Sequence, residues 1–178
     1  VVIQGAGGLG INAAAAAKEM GAASVIAIDG VPSRLALARL CGADQTIDIN
    51  EHDTSEARVE RVKELTEGRG ADVVMEVVGY PQVVPEGIAM TRKGGAFVEI
   101  GNIWPDSNVT LDVSKVLWGQ VRIIPATHYD PYILPVTVDM LARTRDKYPL
   151  TRVMSHSFPL ERIGEAFEAA EWAGKTED

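Results

Sequence analysis

The sequence predicts an α/β fold, in which a doubly wound parallel sheet of six strands carries helices on both faces and is followed by a C-terminal extension. Three observations lead to this prediction. Short apolar segments alternate with longer helical segments along most of the 178 residues. A glycine-rich turn directly follows the first apolar segment, and further glycines separate later segments. This alternation is typical of βαβ units, whose parallel strands are covered on both faces.

Each element can be placed from its own pattern. Strands are predicted near residues 1–4, 25–29, 45–48, 72–77, 96–100 and 121–124. Helices are predicted near 9–20, 33–40, 54–66, 81–90 and 133–143, with a short one at 113–117. Asp53, with Glu56 as its capping-box partner, predicts the start of the third helix. One more extended segment is predicted over 152–159 and a helix over 160–172. Six strands in this succession predict the order 3-2-1-4-5-6, with a ligand across the carboxyl ends of strands 1 and 4.

The glycine-rich turn reads Gly5-x-Gly7-x-x-Gly10, with Gly8 inside it. Gly5 allows a sharp turn off the strand, Gly7 lets a pyrophosphate approach the backbone, and Gly10 allows close packing of helix on sheet. The free N–H groups and the dipole of the helix start then face the anion. Together with its flanking strand and alanine-rich helix, the turn predicts a Rossmann-type dinucleotide-binding domain.

Asp29 ends the second apolar segment, near the spacing expected of an acid that binds the ribose. Its carboxylate accepts hydrogen bonds from ribose hydroxyls, and its charge repels a 2′-phosphate. No basic residue follows at once, because Gly30 comes next and Arg34 only later. The sequence therefore predicts NAD(H) rather than NADP(H). Arg34 fits a cofactor contact and an ordinary solvated helix residue equally well.

Composition limits the other classes of function. The net charge of −8 and the pI near 4.9 disfavour nucleic acid and anionic membranes as partners. No apolar run approaches the length of a membrane span, and no signal peptide is visible. Cys41 is the only cysteine, which excludes an internal disulfide and fits a reducing compartment. We therefore expect a cytoplasmic protein.

Three later segments end strands at the edge where the ligand is expected. They are 77–79, 100–102 and 124–126. Glu76 interrupts an apolar strand at this edge, and a structural hydrogen-bonding role is favoured there over general-base catalysis. Asn102 leaves the fifth strand close to the expected ligand. His128 follows the sixth strand, where a surface role is favoured over contact with substrate.

The chain resembles the medium-chain dehydrogenase/reductases, specifically the zinc-type alcohol and polyol dehydrogenases. The stretches that carry the resemblance are 5–10 with Asp29, 33–38 before 41–44, 70–79, 94–101 and the tail 158–167. Each is a modest signal alone, but their order and spacing are specific. The resemblance covers nearly the whole chain.

This resemblance implies a role for each candidate residue. Leu9 would pack behind the nicotinamide, and Asp29 and Arg34 would hold the adenosine ribose. Val77 and Val78 would contact the adenosine side, Ile100 and Gly101 would border the nicotinamide, and the backbone at Arg122 and Ile124 would meet its carboxamide. The complete set of predicted cofactor-binding residues is Gly5, Gly7, Gly8, Leu9, Gly10, Asp29, Gly30, Arg34, Val77, Val78, Ile100, Gly101, Asn102, Arg122 and Ile124.

The family also implies a homodimer paired through the sixth strand, from Val121 to Ile124. Pro125 stands where the family usually has glycine and removes a backbone donor beside both predicted contacts.

The resemblance further implies that a catalytic domain precedes this one. Residues 1–149 would be the dinucleotide-binding domain, and 150–178 would belong to, or pack on, the absent catalytic domain. Zinc would sit only in that absent domain, because Cys41, His52, His128 and His156 form no close ligand pair. The fragment alone is expected to bind NAD(H) without turning over substrate.

The leading hypothesis is therefore an NAD-dependent alcohol or polyol dehydrogenase, which transfers hydride between a small alcohol or carbonyl compound and nicotinamide. Two alternatives stay open. One is a zinc-free, NADPH-dependent quinone or enoyl reductase of the same superfamily. The other is a non-catalytic module that senses NAD(H). The relative affinity for NADH and NADPH distinguishes the first alternative from the leading hypothesis, because Asp29 disfavours NADPH.

Overall fold

A computed structural model describes residues 1–172 of the chain, which form six strands and seven α-helices. The strands are β1 (Val2–Gln4), β2 (Ile26–Asp29), β3 (Gln45–Asp48), β4 (Ala71–Glu76), β5 (Thr91–Glu99) and β6 (Arg122–Pro125). The helices are α1 (Gly8–Glu19), α2 (Pro32–Leu40), α3 (Ser55–Leu65), α4 (Val83–Met90), α5 (Val113–Gly119), α6 (Ile133–Thr144) and α7 (Ile163–Trp172). Two 3₁₀ turns, Leu150–Val153 and Leu160–Arg162, lie between α6 and α7.

All six strands pair in parallel in the order β3-β2-β1-β4-β5-β6, which confirms the predicted topology. The register aligns the carboxyl ends of the strands. Gln4 pairs with Glu76, Glu76 with Glu99, and Glu99 with Pro125. The order reverses between β1 and β4, so the crevice expected of a doubly wound sheet opens at these strand ends.

Helices cover both faces because neighbouring strand residues point to opposite sides. Ile3 packs with the alanines of α1 and with α2 on one face, and the adjacent Val2 packs with α3 and α4 on the other. Phe97, the largest fully buried side chain, belongs to the second core. The two cores hold β1 rigidly from both sides, and this fixes the glycine turn that follows it.

Three local expectations were wrong. Thr54, and not Asp53, caps α3, with its hydroxyl accepting a hydrogen bond from the N–H of Ala57. β5 starts at Thr91 rather than near residue 96, because a register shift opposite Ala71 takes Gly94 and Gly95 into the strand. The extended segment predicted over 152–159 begins later than expected, because residues 152–153 end a 3₁₀ turn in which Leu150 and Val153 pack on the first core. Met154 and Pro159 have extended backbone, but no strand forms over 154–159.

The end of α6 and the segment after it are joined to α1 by hydrogen bonds. Glu19, at the end of α1, accepts hydrogen bonds from Lys147 (2.6 Å), from the Tyr148 hydroxyl (3.0 Å) and from Arg143 (3.2 Å). These partners, led by Lys147, hold the pKa of Glu19 below its usual value. Tyr148 itself is buried. The predicted helix at the C-terminal end is confirmed as α7, and the last six positions of the predicted extension, 173–178, lie outside the described residues.

Within residues 1–172, no helix combines the length and the apolar character that crossing a membrane requires.

Candidate functional site

A cleft of 1050 Å³ opens at the carboxyl ends of β1, β2 and β4. Seven of the predicted cofactor-binding residues line it, namely Gly5, Gly7, Asp29, Gly30, Arg34, Val77 and Val78. A second groove, of 760 Å³, lies at the opposite ends of the strands, near Ala22 and Asp72. None of the predicted residues lines that groove, so the first cleft is the candidate site.

The glycine turn is held by backbone contacts. Gly5 has a φ of +96° and donates its N–H to the carbonyl of Ile28 at 2.8 Å, which joins the turn to β2. A Cβ atom on Gly10 would lie 1.8 Å from the carbonyl oxygen of Gly5. No rotation of a side chain relieves a contact with backbone, so Gly10 is required by the fold itself.

Gly7 differs from Gly10. It is the N-cap residue of α1, and a Cβ atom there would meet no protein atom within 4 Å. The first turn of α1 carries no acidic side chain, and Gly7 offers no capping oxygen. The helix start therefore presents backbone N–H groups and a positive dipole end to open space in the cleft. These are the properties of a site for a pyrophosphate.

The Asp29 carboxylate stands beside this turn at the end of β2. Oδ2 accepts the N–H of Ala6 at 2.7 Å, and Oδ1 accepts the N–H of Val31 at 2.9 Å. The two bonds fix the orientation of the carboxylate. Each oxygen keeps a second acceptor position, because an ionised carboxylate has about four lone-pair sites. Asp29 can thus accept hydrogen bonds from a vicinal diol in the cleft.

The floor of the cleft contains an ion pair that the sequence analysis missed. Arg58 of α3 donates two hydrogen bonds to Glu86 of α4, at 2.9 and 2.6 Å, and a third to the carbonyl of His52. Ser55 also donates to Glu86 at 2.8 Å. The hydrogen bond with Glu86 raises the pKa of Arg58. The sequence contains one sign of this pair: Glu86 is a carboxylate within the otherwise apolar segment 83–90, where a buried partner of opposite charge would be needed.

Glu76 is fully buried at the end of β4. Oε1 accepts the N–H groups of Val78 and Gly79, and Oε2 accepts the N–H of Gly101 and the side-chain amide of Asn102. These four donors compensate for the burial of the carboxyl group. The arrangement is what the structural role predicted for Glu76 requires. Burial is the main cause that raises its pKa, and the neighbouring Glu99 raises it further, while the N–H groups of Gly79 and Val78 oppose the shift.

The other predicted residues lie outside the cleft. Leu9 is 63% exposed and Ile124 is 42% exposed, and Arg122 is also exposed. Gly8 begins α1 and faces Val153, whereas Ile100, Gly101 and Asn102 follow β5 near Glu76. The structure therefore brings together the residues predicted for the adenosine side. Of those predicted for the nicotinamide side, Leu9, Arg122 and Ile124 are exposed, whereas Ile100, Gly101 and Asn102 are half-buried.

The described residues do not fit a zinc site. Across residues 1–172, no three His, Cys, Asp or Glu side chains converge as metal ligands, and Cys41 is buried under α2 in the first core. Burial raises the pKa of its thiol, opposite to what a metal ligand needs. No chemical step in this chain is assigned to zinc.

Comparisons with known proteins agree with this geometry. Residues 8–143 match the sequence model of a family described as zinc-binding dehydrogenase. Erythritol/L-threitol dehydrogenase of Mycolicibacterium smegmatis is 37% identical over 160 residues, which cover 90% of this chain and 42% of that protein. Sorbitol dehydrogenase of Rattus norvegicus is 37% identical over 174 residues, covering 96% and 46%.

Among solved structures, an alcohol dehydrogenase from Thermotoga maritima superposes with a TM-score of 0.89 at 32% identity, covering 97% of this chain and 47% of that one. Benzyl alcohol dehydrogenase from Acinetobacter calcoaceticus gives a TM-score of 0.84 at 27% identity, covering 98% and 47%. The chain spans about half the length of the relatives that it matches.

Proposed function

Because the chain belongs to the zinc-binding dehydrogenase family, we propose that it is the NAD(H)-binding part of an alcohol or polyol dehydrogenase. The substrate would be a small alcohol or carbonyl compound, as the names of the relatives indicate. Bound NAD(H) supplies the hydride acceptor or donor. The described residues of this chain bind and orient that cofactor.

The observation that carries the proposal is the open space at Gly7. The protein's own packing does not require glycine there, since no atom lies within 4 Å of a Cβ position. A pyrophosphate on the N–H groups of α1 does require it, because its oxygens must come within hydrogen-bonding distance of the backbone. Asp29 then lies where the adenosine ribose follows the pyrophosphate.

Binding is tested with the pair wild type and Gly7→Ala. Saturating NADH should raise the melting temperature of the wild-type chain, because a ligand that binds only the folded state stabilises it. Gly7→Ala should keep its fold and lose at least about tenfold in NADH affinity, equal to about 1.4 kcal/mol. Equal affinity of the two chains for NADH would contradict the proposed pyrophosphate site.

Cofactor preference rests on Asp29. We expect the wild-type chain to bind NADH more tightly than NADPH. Asp29→Asn should weaken NADH binding by about 1.5–3 kcal/mol, the value of hydrogen bonds to a charged partner. NADPH binding should weaken less, since the repulsion of its 2′-phosphate is also removed. Asp146→Asn, at an exposed carboxylate outside the cleft, is the matched control and should leave the preference unchanged. A wild-type preference for NADPH would favour the zinc-free reductase instead.

The nicotinamide side of the site is proposed from the family resemblance. Leu9 would back the ring, while Ile100, Gly101 and Asn102 would border it. The backbone at Arg122 and Ile124 would face the carboxamide. Pro125 has no N–H, so one backbone donor next to this contact is missing.

Three further expectations remain part of this proposal. The homodimer would form through residues Val121–Ile124, of which Val121 is buried and the other three are exposed. Residues 1–149 would form the cofactor domain, and 150–178 would pack on a catalytic domain of the longer protein that also holds zinc. The protein would act in the cytoplasm.

A further inference from the structure

The carboxyl ends of β1, β4 and β5 carry a row of polar side chains. Gln4, Glu76 and Glu99 pair in register across these three parallel strands. Side chains at paired positions of a parallel sheet point to the same face and lie side by side. Two carboxyl groups, those of Glu76 and Glu99, are thus adjacent where the sheet is covered by α4.

Some acceptors in and beside this row have no donor, although Glu76 itself accepts four hydrogen bonds. Among the described residues, three buried side-chain atoms have no hydrogen-bond partner: Oε1 of Gln4, Oε2 of Glu99 and Oδ1 of Asn102. All three are acceptors, and all three belong to the row or to the loop that follows it. Buried acceptors without donors are costly, so a further donor within this row would be stabilising.

Asn102 links the two carboxyl groups. Its Nδ2 donates to Oε2 of Glu76 and to Oε1 of Glu99, both at 3.0 Å, and its backbone N–H also donates to Oε1 of Glu99 at 3.0 Å. The N–H of Gly101 donates to Oε2 of Glu76 at 3.1 Å. The two carboxyl groups therefore hold residues 101 and 102 directly.

Resting on the function proposed above, we propose that Glu76 and Glu99 share one proton at neutral pH. This proton keeps the loop of residues 100–102 in the position that borders the nicotinamide. One protonated carboxyl group supplies this further donor and leaves one negative charge on the pair. Loss of the proton places two negative charges side by side at a buried site and drives the two carboxylates apart. Asn102, which donates to both, can then no longer bridge them, and its loop changes position. Glu99 is in this scheme a positioning residue.

The surroundings leave few other charges to act on the pair. β1 brings the neutral Gln4, and β6 brings Pro125 in register with Glu99. The acidic group of the covering helix α4 is Glu86, which is already paired with Arg58. Burial and the presence of Glu99 both favour the protonated form of Glu76, as its raised pKa indicates. The affinity for NADH should therefore fall as the pH rises.

The test compares the wild-type chain with Glu99→Gln, whose amide group donates permanently. We expect the NADH dissociation constant of the wild type to rise at least about tenfold between about pH 6 and about pH 9, and that of Glu99→Gln to change less than about threefold. Glu60→Gln, at an exposed position on α3, should follow the wild type. Because all three chains keep every histidine, any titration of histidine cancels in the comparison. Glu99→Leu, which removes the second carboxyl group, should also bind independently of pH.

A second measurement follows the proton itself. In ¹³C NMR of the side-chain carboxyl carbons, at least one glutamate of the wild type should titrate above about pH 6. In Glu99→Gln, which keeps the buried Glu76 but lacks the second carboxyl group, this titration should move below about pH 6. If all glutamates of the wild type titrate below about pH 6, the shared proton is refuted. If the high titration occurs but wild type and Glu99→Gln show the same NADH profile, the positioning role is refuted. Failure of every chain to bind NADH would count against the proposed function, while the NMR result would still decide the proton.

Discussion

The interior strand β2 and the edge strand β6 differ in how well the chain covers them. On β2, Ile26 is 1% exposed and Ile28 is 4% exposed, whereas on β6 Ile123 and Ile124 are 45% and 42% exposed. Among residues 101–170, whose burial the structure describes, only Val121, Thr144 and Tyr148 are buried. The first hundred residues thus hold almost all of the core. The stability of the chain should depend on that first part, while the second part presents surface that a further domain or a second copy would cover.

The largest effect is expected from Gly10→Ala, in the first part. A Cβ atom 1.8 Å from the carbonyl oxygen of Gly5 forces the glycine turn or α1 to move. We expect a loss of more than about 4 kcal/mol in the free energy of unfolding, measured by urea denaturation. Gly7→Ala is the matched control and should cost less than about 1 kcal/mol. Equal losses for the two variants would contradict the different roles assigned to these glycines.

The ion pair under the cleft should give the next largest effect. Glu86→Leu leaves the Arg58 guanidinium buried without its carboxylate, and such a loss costs about 3–5 kcal/mol. Arg58→Met should cost a similar amount, because it leaves the Glu86 carboxylate buried without its guanidinium partner. The double variant should be far more stable than the sum of the two losses predicts, because both buried charges are then gone. Additive losses in urea denaturation would show that the pair does not act as a unit.

Glu19 joins the two parts of the chain, and its effect should depend on pH. Because Lys147 and the other partners lower the pKa of Glu19 in the folded state, its contribution is present above the unfolded pKa and is lost as pH falls through the folded one. Between about pH 5 and about pH 3, the wild type should therefore lose more stability than Glu19→Gln. Glu64→Gln, which removes an exposed ion pair on α3, should behave like the wild type. A parallel pH profile for wild type and Glu19→Gln would contradict this attachment.

The smallest effect on folding is expected on β6. Ile124→Ala should change the free energy of unfolding by less than about 0.5 kcal/mol, because the side chain is already partly in solvent. Ile26→Ala, the same substitution on β2, should cost about 2–5 kcal/mol. Sedimentation should show a weaker homodimer for Ile124→Ala if β6 is its interface. A large folding loss at residue 124 would mean that β6 is better covered than its exposure indicates.

The sequence predicted the topology because periodicity and glycine turns are local signals, and a parallel sheet with these connections has few possible orders. Asp29 and Glu76 were identified for the same reason, since a carboxylate at the end of an apolar strand is visible without neighbours. The pair of Arg58 and Glu86 was not predicted, because two helices distant in sequence must pack before the side chains meet. The role of Glu99 was not predicted. Glu99 ends β5 just before Ile100 and Gly101, as Glu76 ends β4 just before Val77, but this similarity becomes informative only once β4 and β5 are known to pair in register.

Boundaries were harder to predict than elements. Asp53 and Thr54 are both good N-cap residues, and only backbone geometry decides between them. Likewise, residues 152–159 have an extended pattern, but the packing of Leu150 and Val153 on the first core overrides it.

The attachment of residues 147–153 to α1 also affects the order of events during synthesis. Lys147 meets Glu19 across 128 positions of the chain, and Val153 reaches the start of the same helix at Gly8. Contacts this distant in sequence form late, because the loop between them must first close. A growing chain that has completed the glycine turn and all six strands still lacks the cover on the outer side of α1. The packing of the helix that begins at the turn is therefore completed only after residue 153 has emerged from the ribosome.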